Sequence, residues 1–148
     1  MTKKIYSTFA MLGLFLVLAV GSVQAQSGRS LEVNIRFDFQ VGNKVLPAGQ
    51  YTVRRLTQNS MIVESADGSR SAIAQTPGTV DDSGKKTTER LVFHQYGDQY
   101  FLAQIWLTRG ADGRELATTK AEREASKAQT LARGKAQPRT VEVTASAR

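Results

Sequence analysis

From Leu31 to Val41 the chain alternates without a break. Leu31, Val33, Ile35, Phe37, Phe39 and Val41 are apolar, and Glu32, Asn34, Arg36, Asp38 and Gln40 between them are polar. Successive side chains of a β-strand point to opposite faces, so a period of two marks a strand with one buried and one wet face. Such a strand is not stable alone. It requires neighbours in a sheet and a second layer over the apolar face.

The remaining sequence supplies both. Gly42-Asn43 ends the first strand in a turn, and Leu46-Pro47-Ala48-Gly49 makes a second, with proline fixing φ and glycine free to take positive φ. A strand is expected from Gln50 to about Leu56, another over Ser60 to Ser65, and a return over Arg70 to Thr76 after the Asp67-Gly68 turn. Pro77 to Thr88 reads as the longest loop, and Glu115 to Thr118 as the close of a short strand. Thr140 to Thr144 alternates again through Val141 and Val143 and is expected to add a late edge strand.

Glu89 to Tyr96 and Gln99 to Leu107 face each other across Gly97-Asp98. A two-residue loop pairs Tyr96 with Gln99, His94 with Phe101 and Val92 with Ala103. One face then carries Val92, His94, Tyr96, Phe101, Ala103 and Ile105, and the other Leu91, Phe93, Gln95, Tyr100, Leu102, Gln104 and Trp106. Both faces are substantially apolar. The hairpin is therefore expected to be covered on both sides, or to expose an aromatic surface to a ligand.

Thr119-Lys120-Ala121-Glu122 fits a capping box, with Thr119 accepting from the Glu122 backbone and the Glu122 side chain reaching back. The helix it starts is expected to run to about Arg133 and stop at Gly134. Its apolar stripe is Ala121, Ala125, Ala128 and Ala132, with Leu131 beside it. Alanine buries little area, so weak docking is expected. The fold class is mainly β: a single antiparallel β-sandwich or small barrel of about seven strands, with a C-terminal helix or tail. A membrane barrel is the competitor, but the strands are generally shorter than the roughly 9–11 residues needed to span.

Residues 1–25 read as a secretory signal. Met1-Thr2-Lys3-Lys4 is basic, Ile5 to Val20 is almost wholly apolar, and Val23-Gln24-Ala25 offers small residues at a cleavage site. Cleavage near Ala25 implies a secreted or periplasmic protein; a retained anchor is the alternative. The leader carries two of the chain's 20 basic residues, leaving 18 against 13 acidic. This excess is uneven. Residues 26–119, the expected β-domain, hold 11 basic and 10 acidic side chains, whereas residues 120–148, a basic helical or partly disordered tail, hold seven and three.

The chain has no cysteine, which removes thiol catalysis, thiolate zinc sites and iron–sulfur clusters. Its one histidine, His94, reads as a packed or half-buried strand residue, because the nearby Asp98 lies in the turn of the same hairpin. Neither Asp81-Asp82 nor the two Asp-Gly turns has the spacing of a calcium loop, and no spacing selects a carboxylate pair for hydrolysis. No P-loop, dinucleotide fingerprint or nucleophile elbow is present. No catalytic residue, metal site or cofactor is therefore expected, and no specific nucleic-acid motif is found.

Flat aromatic side chains suit sugar rings and protein interfaces, so Tyr96, Tyr100 and Trp106 are the candidate contact residues on the hairpin. Lys127, Arg133, Lys135 and Arg139 are candidates for an anionic surface. Phe37-Asp38-Phe39-Gln40-Val41-Gly42, Leu46 to Val53, Tyr96 to Leu102, Trp106 and Ala121-Glu122-Arg123-Glu124 together resemble landmarks of small exported β-domain proteins of acidobacteria-like soil bacteria. The resemblance implies a compact exported β-domain with a charged tail, and carries over no functional residues. The expected function is a non-enzymatic exported domain that binds or assembles in the envelope or outside the cell. Its partners would be a protein or glycan, or a second copy of itself. The alternatives are a binder of lipopolysaccharide, acidic glycan or nucleic acid acting through the tail, and a carboxylate-based hydrolase.

Overall fold

The protein is described here by a computed structural model covering residues 29–81, 88–107, 113–134 and 137–145. Residues 1–25, expected as a signal segment, lie outside these residues. The long alternating segment is not one strand but two. β1 (Ser30–Ile35) and β2 (Phe39–Val41) belong to different sheets, joined by a corner at Arg36, Phe37 and Asp38. The alternation survives the corner because the chain passes from one layer to the other with the interior still on the same side. Leu31, Val33, Ile35, Phe39 and Val41 are all buried in one core. Phe37 holds the corner from inside, stacked on Tyr100 with centroids 4.0 Å apart and edge-on to Phe93 at 5.2 Å. Asp38 holds it from outside, its Oδ1 accepting from the Ala48 amide at 2.9 Å.

β3 (Lys44–Leu46), β4 (Gly49–Thr57), β5 (Ser60–Ser65) and β6 (Ser71–Gln75) follow. The first sheet runs β1-β4-β5-β6, all antiparallel, and its register places Leu31 opposite Val53, Val53 opposite Val63 and Val63 opposite Ala72. Those four form one inward row. Tyr51 is buried in the next row, and its hydroxyl donates to the Pro47 carbonyl at 2.7 Å, which ties the Pro-Ala-Gly turn to the core. Its phenol is raised above its ordinary value, chiefly by burial.

β7 (Gly78–Val80), β8 (Arg90–Tyr96), β9 (Gln99–Trp106), β10 (Gly113–Glu115) and β11 (Arg139–Thr144) form the second sheet in the order β11-β8-β9-β10-β7. β7 occupies part of the stretch expected as loop. β2 joins this sheet in parallel through Gln40 opposite Phe101, on the same edge of β9 that β10 occupies further along. Among the described residues seven strands have five or more residues and four have three, so the seven-strand expectation counted the long ones. The fold is a mainly β sandwich of two open sheets with a C-terminal helix.

The hairpin faces require a correction. His94 does lie opposite Phe101 and Tyr96 opposite Gln99, but a bulge at Ala103 sets Val92 opposite Gln104 and Leu91 opposite Ile105. One extra residue reverses every face beyond it. Ile105 therefore joins Leu91, Phe93 and Leu102 in the central core, while Gln104 and Trp106 pass to the outer face with Arg90 and Val92. Each fully buried Leu, Ile or Phe of that core is worth roughly 1.5–3 kcal/mol of transfer free energy.

The outer face of the second sheet holds a smaller buried layer. Trp106 is only 1% exposed, and Val92, Phe101 and Ala103 are buried beside it. The Arg90 guanidinium lies 4.4 Å from the Trp106 ring centroid and donates to the Thr88 carbonyl at 3.2 Å. Glu142, from β11, brings its carboxylate to 3.9 Å from Arg90 Nε. The helix α1 (Lys120–Arg133) covers the other end of this layer, over β8. α1 and β11 are thus part of the body: α1 packs on the sheet, and β11 pairs with β8 along its whole length, Arg139 opposite Gln95 through Thr144 opposite Arg90.

Candidate functional site

The tip of the β8–β9 hairpin and the second half of α1 meet to form the candidate site. Gly97 takes φ +59, the left-handed conformation the two-residue turn needs. Its carbonyl accepts from Gln95 Nε2 at 2.9 Å, and its amide donates to Gln129 Oε1 at 3.2 Å. The second bond clamps the turn to the helix.

α1 begins as the sequence indicates, with Thr119 Oγ1 accepting from the Glu122 amide at 3.1 Å. It also ends there, at Gly134 with φ +79 and its amide donating to Thr130 O at 2.9 Å. The reciprocal arm of the capping box is diverted. Glu122 sends its carboxylate to the sheet, where Oε1 lies 2.8 Å from His94 Nδ1. The Glu122 side chain is 8% exposed and that of His94 31%, so the pair is sheltered from water mainly on the carboxylate side.

The docking side of the helix also differs from expectation. Glu122 is buried and Ala125, Ser126 and Gln129 are half-buried, whereas Ala121, Ala128 and Ala132 are exposed. Of the alanine stripe only Ala125 lies on the docking side. Instead, polar groups with specific partners fix the helix: Glu122 on His94 and Gln129 on Gly97. Burial raises the Tyr96 phenol above its ordinary value, the Glu122 carboxylate adds to the rise, and the bond from Ser126 opposes it.

Because Ala128 and Ala132 stay exposed, a groove of about 420 Å³ opens between this side of the helix and the hairpin tip. Ala125, Ala128 and Ala132 form one wall, and Tyr96, Asp98 and Gln99 the other. A second hollow of about 240 Å³ lies across the Gly97–Gln129 clamp, bounded by Gln95, Asp98 and Arg139. The side chains of Asp98, Gln99 and Arg139 make no hydrogen bond or ion pair among the described residues. The groove thus offers methyl groups and an aromatic wall along its length, with uncommitted charged and amide groups on its rim.

The sequence-derived contact residues separate accordingly. Trp106 is corrected from a contact residue to a packing residue, because the bulge turns it into the buried outer layer. Tyr100 is half-buried and stacked on Phe37 at the sheet corner. Tyr96 is half-buried, edge-on to Phe101 at 5.9 Å and to His94 at 6.4 Å, and walls the groove. Of the basic set, Lys127 is exposed on the helix and Arg139 borders the second hollow. The side chain of Arg133 and all of Lys135 lie outside the described residues.

Sequence reasoning missed the partner of His94. Glu122 is 28 residues away, and only the packing of α1 over β8 brings them together. An imidazole held by a buried carboxylate is two-thirds of a nucleophile-activating relay, but no Ser or Thr hydroxyl is bonded to His94 among the described residues. Nor do they contain a group of three or more His, Cys, Asp or Glu placed to hold a metal ion, or a helix long and apolar enough to cross a membrane. Comparison of the chain with protein-family models, curated proteins and solved structures gives no match in any of the three.

Proposed function

We propose that the chain is an exported, non-enzymatic domain that binds a component of the bacterial envelope or extracellular space through the groove between the hairpin tip and α1. The observation that carries this reading is the alanine wall. A helix that packs through its polar side and leaves its alanines along an open groove, facing a tyrosine, has apolar surface that its own fold does not use. Arg139 and Lys127 favour a second reading, an anionic polymer attracted by exposed cations without partners of their own.

One experiment separates the two. The chain from Gln26 onward is sedimented with a bacterial envelope fraction, alongside Ala128→Trp, which fills the groove, and Lys127→Glu with Arg139→Glu, which reverses the exposed charge. Loss of co-sedimentation in the groove variant alone is the expected result. Loss only in the charge-reversed variant, together with release by salt, transfers the function to the cations. Absence of binding by the unmodified chain refutes both.

A further inference from the structure

The groove and a projecting apolar side chain lie on the same helix. Leu131 is 90% exposed, the most exposed of the large apolar side chains among the described residues. At about 100° per residue, it is turned roughly 60° from Ala128 and stands on the crest of α1, away from the sheet. A lone exposed leucine needs no explanation. Here it stands beside a hollow walled by three alanines, so the same patch presents a knob and a hole. That is the requirement for a contact between identical surfaces across a twofold axis.

The charges agree. Glu124, the acid on the crest, is engaged by Lys120 one turn earlier at 3.8 Å. Lys127, one turn before Leu131, has no hydrogen-bond or ion-pair partner among the described residues, and neither has Asp98 on the far wall of the groove. The crest therefore carries an uncommitted cation and the groove an uncommitted carboxylate. The β6 edge of the first sheet is a poorer place for self-association. Lys44 Nζ donates to the Ser71 carbonyl at 3.2 Å and the Ala117 amide to the Gln75 carbonyl at 3.2 Å, so β6 already has its outward carbonyls occupied at both ends.

We infer that two copies of the chain associate through this face, Leu131 of each entering the alanine-walled groove of the other and Lys127 of each facing Asp98 of the other. The inference rests on the groove being a binding surface, as proposed above, and names a second copy as an occupant. One helix and one hairpin tip make a small interface, so dissociation in the micromolar range or weaker is expected.

Sedimentation equilibrium of the chain from Gln26 onward, over a wide concentration range, should show a reversible monomer–dimer equilibrium. Leu131→Ser should weaken it at least about tenfold, as expected for removing two buried leucines per dimer. Asp98→Lys and Lys127→Asp should each weaken it, and the two together should restore it, because the swap reverses both charges of the pair. All three positions are exposed, so these variants are expected to keep the fold, and circular dichroism of each checks that they do. A chain that stays monomeric throughout, a dimer indifferent to Leu131→Ser, or a charge swap that fails to restore association overturns the inference. A monomer that still sediments with the envelope loses only the self-association. A dimer that binds no envelope component loses only the envelope reading.

Discussion

Replacing Gly113 by alanine should destabilise the protein by a steric clash with one tryptophan. A Cβ at Gly113 would lie 2.5–2.6 Å from three atoms of the Trp106 six-membered ring, where ordinary contact begins near 3.4 Å. The glycine is not in the left-handed region, so the cost is the collision itself and not backbone strain. Trp106 has little freedom to retreat. Arg90 lies over its ring at 4.4 Å, its indole N–H donates to Gln104 Oε1 at 3.2 Å, and it is buried from water. A shift of nearly an ångström is required, in a layer packed on both sides. Overpacking of this kind costs about 1–3 kcal/mol, or a melting temperature lower by roughly 4–15 °C for a domain of this size.

Trp106 is the chain's only tryptophan, so its fluorescence reports this layer directly during urea unfolding, with circular dichroism as the global signal. The decisive comparison is a double-mutant cycle. In a Trp106→Leu background, itself destabilised by the lost volume, Gly113→Ala should cost less than about 0.5 kcal/mol, because the added methyl enters space the indole vacated. Equal cost in both backgrounds would refute the contact between Gly113 and Trp106, and with it the bulge that brings the indole to this face.

Two further perturbations test other contacts. Glu122→Ala leaves His94 without its partner and should cost about 1–3 kcal/mol, less than a wholly buried pair because His94 is partly exposed; hydrogen exchange should accelerate along α1 while the β4 and β5 amides stay protected, and uniform acceleration would contradict the reading. Asp67 is held at about 2, first by the Ser65 hydroxyl and then by the amide and hydroxyl of Ser69. Its folded carboxyl binds fewer protons than the unfolded one, so its contribution to stability is full above the ordinary carboxylate value and is lost as pH falls towards 2. Asp67→Asn should therefore narrow its stability gap to the unmodified chain below about pH 4, and a gap that is flat from pH 6 to 2 would show that Asp67 is not held by those hydroxyls.

Local pattern made much of this fold legible. Period two over residues 31–41 identified every inward side chain correctly, yet said nothing of the corner at Phe37, because a chain that changes sheet around one core keeps its alternation. Gly97-Asp98 fixed the hairpin register as far as Phe93 and Leu102, since turn geometry dictates the first pairs. It failed beyond Ala103. A bulge adds no residue type that composition can register, and the segment from Phe101 to Leu107 is apolar on both parities. The ends of α1 were legible from Thr119 and Gly134, whose roles are local. Its docking side was not, because alanine and serine differ too little in hydrophobicity to orient a helix against specific hydrogen bonds. The His94–Glu122 pair depends on where the helix crosses the sheet, and no spacing in the sequence encodes that.

The division of labour on α1 can itself be tested, since it connects the fold to the proposed site. If Glu122 and Gln129 hold the helix and the exposed alanines do not, stability and binding should respond to different faces of the same three turns. Ala128→Glu adds a charge to an exposed position with good helix propensity and should change stability by less than about 0.5 kcal/mol. Ser126→Glu, two residues earlier, forces a carboxylate against Tyr96 and beside Glu122, and should cost about 1–3 kcal/mol. Their effects on envelope binding and self-association should be reversed in order when measured under conditions where both variants are folded. Ala128→Glu blocks the groove directly, whereas Ser126→Glu loosens its wall without filling it. Should Ala128→Glu prove as destabilising as Ser126→Glu, the alanines are part of the helix's own docking, and the groove is a packing gap with no surface to offer.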